Sequence, residues 1–154
     1  MIASPKDNDA RAERIRKLFT KWIEPGEHTR LFDRFPPDQQ ERFSMLAGLA
    51  PDEQPLVACA LHDDCWTLLT TERLIWRLAG LHTALGWEEL ADVQLLHRMN
   101  PLRPSGGVTT STLQVITNGG HAHALELETG PPFFGFWTAL KLIINAGRRT
   151  TGGP

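Results

Sequence analysis

The spacing of apolar residues changes near residue 53 of this 154-residue chain, and that change restricts the folds open to it. Before it, apolar residues recur at the three- and four-residue intervals of helices; after it, most segments alternate with the two-residue period of strands. A last segment returns to the helical period after Pro131 and Pro132. This order predicts an α+β protein in which helices flank a run of antiparallel strands.

Two helices are predicted in residues 1–52, which we define as an N-terminal helical segment. The first begins at Asp9, a common N-cap residue, and ends at Pro25. The second opens at Pro36 and closes at Pro51. The apolar stripe of the first helix consists of Ile15, Leu18, Phe19, Trp22 and Ile23.

Seven short strands are predicted between residues 53 and 128, separated by turn residues. Asn118, Gly119 and Gly120 form a strong hairpin signal. The stretch 98–107 holds two prolines and two glycines, and we interpret it as a loop. The predicted strands are 56–61, 65–70, 73–79, 81–87, 91–97, 109–117 and 121–128.

The helix predicted over 131–146 has one continuous apolar face. Gly147 follows at the position where glycine often ends a helix, and 150–154 is expected to fray. The apolar face consists of Phe133, Phe136, Trp137, Leu140, Ile143 and Ile144.

Three stretches within residues 53–149 carry a family resemblance. Residues 66–76 contain a T-x-x-R-L turn between two strands, and residues 85–93 have the pattern of a strand, a helical turn and a second strand. The third stretch is the helix 133–144. Together they resemble the bacterial pleckstrin-homology-like (PH-like) superfamily. The resemblance implies a seven-stranded, bent antiparallel sheet or barrel capped by the C-terminal helix. The N-terminal segment lies outside it.

The charge balance is slightly acidic, with 16 Lys and Arg against 18 Asp and Glu and a net charge of -2. A generic nucleic-acid binder would carry a basic face, so nucleic acid is not an expected partner. Because there is no long apolar run and no signal-like N-terminus, a cytoplasmic protein is expected. Cys59 and Cys65 are then expected to be reduced thiols in the core.

The sequence lacks the common enzyme motifs, including G-x-S-x-G, H-E-x-x-H and the P-loop. We therefore expect no enzyme, no cofactor and no small-molecule substrate. His121 and His123 would share a strand face and could chelate a metal with His62 or an adjacent Asp. Solvated histidines at a strand end are the favoured interpretation, and no metal site is assigned.

The turn at Asp63 and Asp64 bears on the resemblance. Phosphoinositide-binding members of the superfold carry Lys and Arg on their first hairpin, whereas this hairpin offers two carboxylates that would repel phosphate. Inositol-lipid binding is therefore disfavoured. An acid–base pair in a cleft is the other interpretation, but Asp is a common turn residue.

Three further groups are candidates for partner binding. Arg14 and Lys17 belong to a run of cations on the first helix, which either face solvent while the apolar stripe packs or contact an acidic partner or anionic lipid. Glu88 and Glu89 are predicted to lie in a single helical turn and are candidates for contact with a partner. The predicted loop supplies Arg98, Met99, Leu102 and Arg103, a mixture typical of interfaces or simply of a linker.

From these patterns we expect a non-enzymatic protein-binding module. A concrete version is a bacterial antidote (immunity-type) protein that neutralises a cognate toxin by occluding its active site with Asp63, Asp64, Glu88 and Glu89. The alternative is a peripheral membrane or lipid-binding PH-like protein that uses the cations of the first helix.

Overall fold

The computed structural model describes residues 5–22, 28–62, 64–100 and 110–151. Within these ranges the chain forms three α-helices and eight strands, so the α+β prediction is confirmed. Two 3₁₀ turns, Phe32–Arg34 and Trp87–Glu89, join elements. The α-helices and strands are α1 (Pro5–Trp22), β1 (Thr29–Leu31), α2 (Pro37–Ala47), β2 (Pro55–His62), β3 (Cys65–Thr70), β4 (Arg73–Leu78), β5 (Leu81–Gly86), β6 (Leu90–Asn100), β7 (Thr110–Thr117), β8 (Ala122–Glu128) and α3 (Pro131–Thr151).

The strands form two antiparallel sheets. One has five strands in the order β1-β2-β3-β4-β5, and the other has three in the order β6-β7-β8. The seven predicted strands correspond to β2–β8. Strands that are consecutive in the chain are therefore direct neighbours within each sheet, although α2 lies in the connection between β1 and β2.

The N-terminal segment also contributes a strand, which the sequence analysis did not predict. In β1, Thr29 lies opposite Cys59 and Leu31 opposite Val57 of β2. The carboxylate of Glu128 on β8 accepts hydrogen bonds from the backbone N–H of His28, at 3.1 Å, and from the Thr29 hydroxyl, at 2.9 Å. These contacts tie β1 to both sheets, so residues 1–52 are not purely helical.

The start of α1 differs from the prediction. The helix begins at Pro5, where the missing backbone N–H of proline costs nothing, and Asp9 lies inside it. The Asp9 carboxylate accepts a hydrogen bond from the Gln54 side chain at 2.6 Å instead of capping the helix. The end predicted at Pro25 lies outside the described residues.

Two predicted boundaries near the C-terminal half are wrong. Strand β6 continues to Asn100, with Met99 opposite Ser111, so Arg98 and Met99 belong to a strand and not to a loop. Helix α3 continues through Gly147 to Thr151. A glycine inside a helix costs only about 1 kcal/mol relative to alanine, so Gly147 does not have to end it.

The main core lies between the two sheets and the helices α1 and α3, and includes Phe136, Leu140 and Leu125. A second apolar cluster packs α2 and the Phe32 turn against the other face of the five-stranded sheet. Because this sheet is covered on both faces, all six residues of β3 are buried.

Candidate functional site

Helix α1 is part of the core. Ala12, Ile15 and Phe19 are at most 3% exposed. The Phe19 ring packs edge-on against Phe136 of α3, with centroids 5.3 Å apart. Of the two alternatives for this helix, the structure shows the one in which Ile15 and Phe19 are packed in the core; the side chain of Trp22 is not among the described residues. The apolar side of α1 is therefore already occupied.

The opposite side of α1 carries exposed cations. Arg14, Lys17 and Lys21 are exposed at helical spacing, and we define them as the cationic face of α1. They span about 10.5 Å along the axis, from the 1.5 Å rise per residue. Lys17 pairs with Glu13 at 3.7 Å, but both side chains are more than two-thirds exposed, so this pair adds little stability. Most of the positive charge is open to solvent.

A shallow, open cavity of about 380 Å³ adjoins this face. The cavity is open to solvent, and the acid Glu13 lies among its cations. It is lined by Glu13, Arg16, Lys17, Thr20 and Lys21.

The 3₁₀ turn at Trp87 lies beside the first half of α1. The Arg11 guanidinium stacks 5.1 Å from the centre of the Trp87 ring. The Trp87 indole N–H donates to the Thr70 carbonyl at 3.1 Å, which fixes the ring. Glu88 and Glu89 follow and are both exposed, so the structure brings these predicted acids near the start of α1.

The backbone of this turn is held on two sides. The Glu89 carboxylate accepts the Gly86 N–H at 2.7 Å, as in a capping box. The Asn118 side chain donates to the Glu88 carbonyl at 2.6 Å, and the Asn118 N–H donates to the Glu89 carbonyl at 3.0 Å. The backbone of the turn is therefore fixed, and the Glu89 carboxylate folds back onto Gly86.

Asp64 lies at the other end of the five-stranded sheet. It precedes β3, where Trp66 lies opposite Arg77, and Arg77 lies opposite His82 at the start of β5. The turn with Glu88 begins after Gly86, about 13 Å further along β5 at 3.3 Å per residue. The predicted acids thus occupy two separate surfaces, because a whole strand lies between them; Asp63 is outside the described residues.

The last group of predicted partner-binding residues came from the stretch 98–107, which was interpreted as a loop. Arg98 and Met99 lie on β6, but only their backbone is described. Leu102 and Arg103 fall in 101–109, outside the described residues.

The most buried charged pair is structural. The Glu53 side chain is fully buried and accepts hydrogen bonds from the Arg73 Nε at 2.8 Å and the Thr70 hydroxyl at 2.6 Å. Burial opposes ionisation, but the bonds from Arg73, Thr70 and the Ala50 N–H, with the charge of Arg73, hold the pKa of Glu53 below its usual value. The hydrogen bond to Glu53 raises the pKa of Arg73.

This pair also reaches α2. The Nη2 of Arg73 donates to the Glu53 carboxylate at 2.7 Å and to the Gly48 carbonyl at 3.3 Å, just after the last turn of α2. Its role is to fasten α2 to β4, and with its bonds satisfied within the protein the carboxylate is not poised for proton transfer.

Two buried donors were missed by sequence reasoning. Within the described residues, the indole N–H of Trp66 and the Nε–H of Arg77 have no hydrogen-bond acceptor. Trp66 instead packs edge-on against Phe43 and His82, with ring centroids 5.7 and 5.9 Å away. Arg77 also forms a long ion pair with Asp64, at 3.6 Å. No sequence signal distinguishes such donors from satisfied ones.

The histidine pair does not form a cluster. His121 is exposed and precedes β8, whereas His123 packs edge-on against Trp76 at 5.7 Å. Among the residues that the structure describes, no three His, Cys, Asp or Glu side chains lie together as metal ligands would.

Both cysteines are buried and no disulfide joins them, in agreement with the predicted core thiols. Burial raises the pKa of Cys59 to about 12. Such a thiol is not a nucleophile at neutral pH.

In the described ranges, we find no helix whose length and hydropathy would let it cross a membrane. Comparison with known proteins yields no matching family model, no matching curated protein and no matching solved structure.

Proposed function

We propose that this chain is a non-enzymatic protein-binding module that uses the cationic face of α1 as its docking surface. The supporting observation is that Ile15 and Phe19 are 1% and 3% exposed, so α1 is anchored to the core while its cations stay in solvent. A docked helix presents its charges in a fixed arrangement, which reduces the conformational entropy lost on binding.

We further propose a PH-like fold for residues 53–149. Strands β2–β5 are four consecutive strands of the five-stranded sheet, β6–β8 form the three-stranded sheet, and a C-terminal helix packs on the core between the two sheets. This order supports the proposal. Strand β1 and the packing of α1 in the core are additional to the seven strands and one helix of a PH-like fold.

The charge distribution favours an acidic partner surface. Residues 5–22 contain six Lys and Arg against three Asp and Glu, although the whole chain has a net charge of -2. Separated charge of this kind steers association and orients the partner. Glu88 and Glu89, beside α1, would meet a basic group at the edge of the same partner.

Neutralisation of a cognate toxin is the specific form of this proposal. The acidic surface of such a toxin would contact the cationic face of α1. Its basic active site would contact the acids of the Trp87 turn. Binding there would exclude substrate by occupying the site, with no chemical step by this protein. The separated Asp64 would lie outside such an interface.

Capture of partners from the source lysate tests the proposal. The tagged wild type is compared with a double charge reversal, Arg14→Glu and Lys17→Glu, and with a matched reversal at Arg30 and Arg34. Both control residues are exposed, near the apolar cluster on the other face of the sheet from α1. We expect one protein in near-stoichiometric amount with the wild type and the control, and its loss with the α1 variant. Equal recovery by all three would reject α1 as the docking surface.

Peripheral lipid binding is the second candidate, because exposed cations also attract anionic lipid. Its weakness is that the apolar stripe of α1 is buried in the protein and cannot enter a bilayer, which leaves only electrostatic attraction. Vesicles containing phosphatidylserine distinguish the two. Binding of the wild type that falls steeply with salt, without an enriched protein in the capture, would favour lipid.

A further inference from the structure

Strand β5 forms one edge of the five-stranded sheet, and part of it is open to solvent. His82 and Ala84 are exposed, and Leu81 is 74% exposed. The strand pairs with β4 along its whole length, from Leu78–Leu81 to Arg73–Gly86. Its other side faces no strand in the described sheets.

The hydrogen-bond pattern identifies the backbone groups on that open side. The Trp87 N–H donates to the Glu72 carbonyl at 2.9 Å, in register with the β4–β5 ladder. In an antiparallel pair, alternate residues bond to the neighbouring strand, so Leu85 and Thr83 face β4 while Ala84 and His82 face outward.

Gly86 supports this assignment. It lies two residues from Ala84, so its N–H also faces outward, and it is taken by the Glu89 carboxylate at 2.7 Å. The backbone N–H and C=O groups of His82 and Ala84 are therefore the ones left for another strand.

From Leu81 to Leu85 the edge lacks the features that usually prevent strand addition, whereas the Glu89 carboxylate covers it at Gly86. Natural edge strands carry charged residues, proline or a bulge, or are very short. Residues 81–86 contain no charged residue and no proline, and their register with β4 is continuous. The opposite edge, β1, is only three residues long.

We propose that the β5 edge pairs with the β5 edge of a second copy of this chain, antiparallel and related by a twofold axis through Thr83. Outward-facing residues must meet outward-facing residues, so His82 pairs with Ala84 of the second copy. The reciprocal pair completes four backbone hydrogen bonds and joins the two sheets into one of ten strands.

The side chains fit this register. Leu81, Thr83 and Leu85 share one face of the strand, and the twofold axis places Leu81 opposite Leu85 of the second copy. Leu81 thereby loses water contact against an apolar neighbour. Thr83 lies opposite Thr83 of the second copy, in a pair that exchanges no backbone hydrogen bonds. The side chains of such pairs come closest together, and threonine pairs are favourable there. No like charges meet along the strand.

The expected dimer is weak, because one short strand pair buries less surface than a standard stable interface. Sedimentation velocity over a wide concentration range should show a shift from 17.2 kDa towards twice that mass. Thr83→Lys should abolish the shift, because two lysines would face each other on the axis. Thr83→Glu should do the same for the same reason.

Mixing these two variants gives the sharpest result. A lysine opposite a glutamate restores complementarity, so the Lys and Glu variants should form a mixed dimer although each alone is monomeric. Ala124→Lys adds the same charge at an exposed position on the edge strand β8 and should dimerise like the wild type.

Ala84→Pro tests the edge without adding charge. It removes the outward backbone N–H of residue 84, which forms no hydrogen bond to β4, whereas Ala84→Ser keeps this N–H. The proline variant should be monomeric with unchanged circular dichroism, and the serine variant should dimerise. A wild type that stays monomeric at every concentration would overturn the proposal, and so would a dimer that persists in both Thr83→Lys and Ala84→Pro.

Discussion

The ring of Phe19 on α1 packs edge-on against the ring of Phe136 on α3, with centroids 5.3 Å apart and planes at 78°. Both side chains are at most 3% exposed. The contact joins the first helix of the chain to the last, so α1 belongs to the folded core. The position of its cations follows from this packing.

Phe19→Ala should destabilise the protein by about 4 kcal/mol, because it removes a buried ring and leaves a cavity. Arg14→Ala, on the opposite side of the same helix, should change stability by less than about 0.5 kcal/mol. Chemical denaturation of the full chain measures both. Similar small effects for the two variants would mean that α1 contributes nothing to the core.

Glu53→Gln should cost about 3 kcal/mol at neutral pH, because it leaves the Arg73 guanidinium without its buried counter-charge. The pKa of Glu53 is lowered from 4.5 in the folded protein. The ionised carboxylate therefore stabilises the fold above pH 4.5, and this contribution is lost as the pH falls towards the lowered pKa. Denaturation at several pH values should show that the wild-type advantage over Glu53→Gln shrinks below pH 4.5.

Asp64→Asn is the matched control for that experiment. Its ion pair with Arg77 is longer, at 3.6 Å, and the Asp64 side chain is 64% exposed. An exposed pair of this kind contributes at most about 1 kcal/mol. A loss at Asp64 equal to that at Glu53 would contradict the assigned difference in burial.

The Cys59 thiol should react with an aromatic disulfide reagent only after unfolding. Burial raises its pKa to about 12, so almost no thiolate is present at pH 8. The unfolded thiol ionises near 9.0, and the folded protein should therefore lose stability as the pH rises above that value. Cys59→Ser, followed by the same titration, identifies which part of the loss belongs to this residue. Fast labelling of Cys59 in the native protein would show that the site is open.

Much of the fold could be predicted because each long element carries a clear period. The alternation in β4 and the apolar face of α3 both survive in the structure. Strand β1 could not be predicted in this way, since three residues are too few to show a period. Its position depends on contacts with Cys59 and Glu128, which lie far away in sequence.

The relative positions of the candidate binding residues were harder to predict than the fold. Arg14 and Lys17 are exposed because helical spacing places them away from the buried face of Ala12, Ile15 and Phe19. Asp64 and Glu88 lie on separate surfaces because β5 separates the two turns, and the sequence does not show which ends of the strands meet. The open edge of β5 could be located only after strand order was known.

Hydrogen exchange of the α1 amides in the isolated protein tests most directly whether the proposed docking helix is fixed to the core. If it is, the amides around Ile15 and Phe19 should exchange as slowly as those of the buried strand β3, because opening them requires global unfolding. Phe19→Ala should accelerate exchange in α1 selectively. Exchange of wild-type α1 at the rate of an isolated helix, with β3 still protected, would contradict a rigid cationic face and leave α1 as a detachable arm.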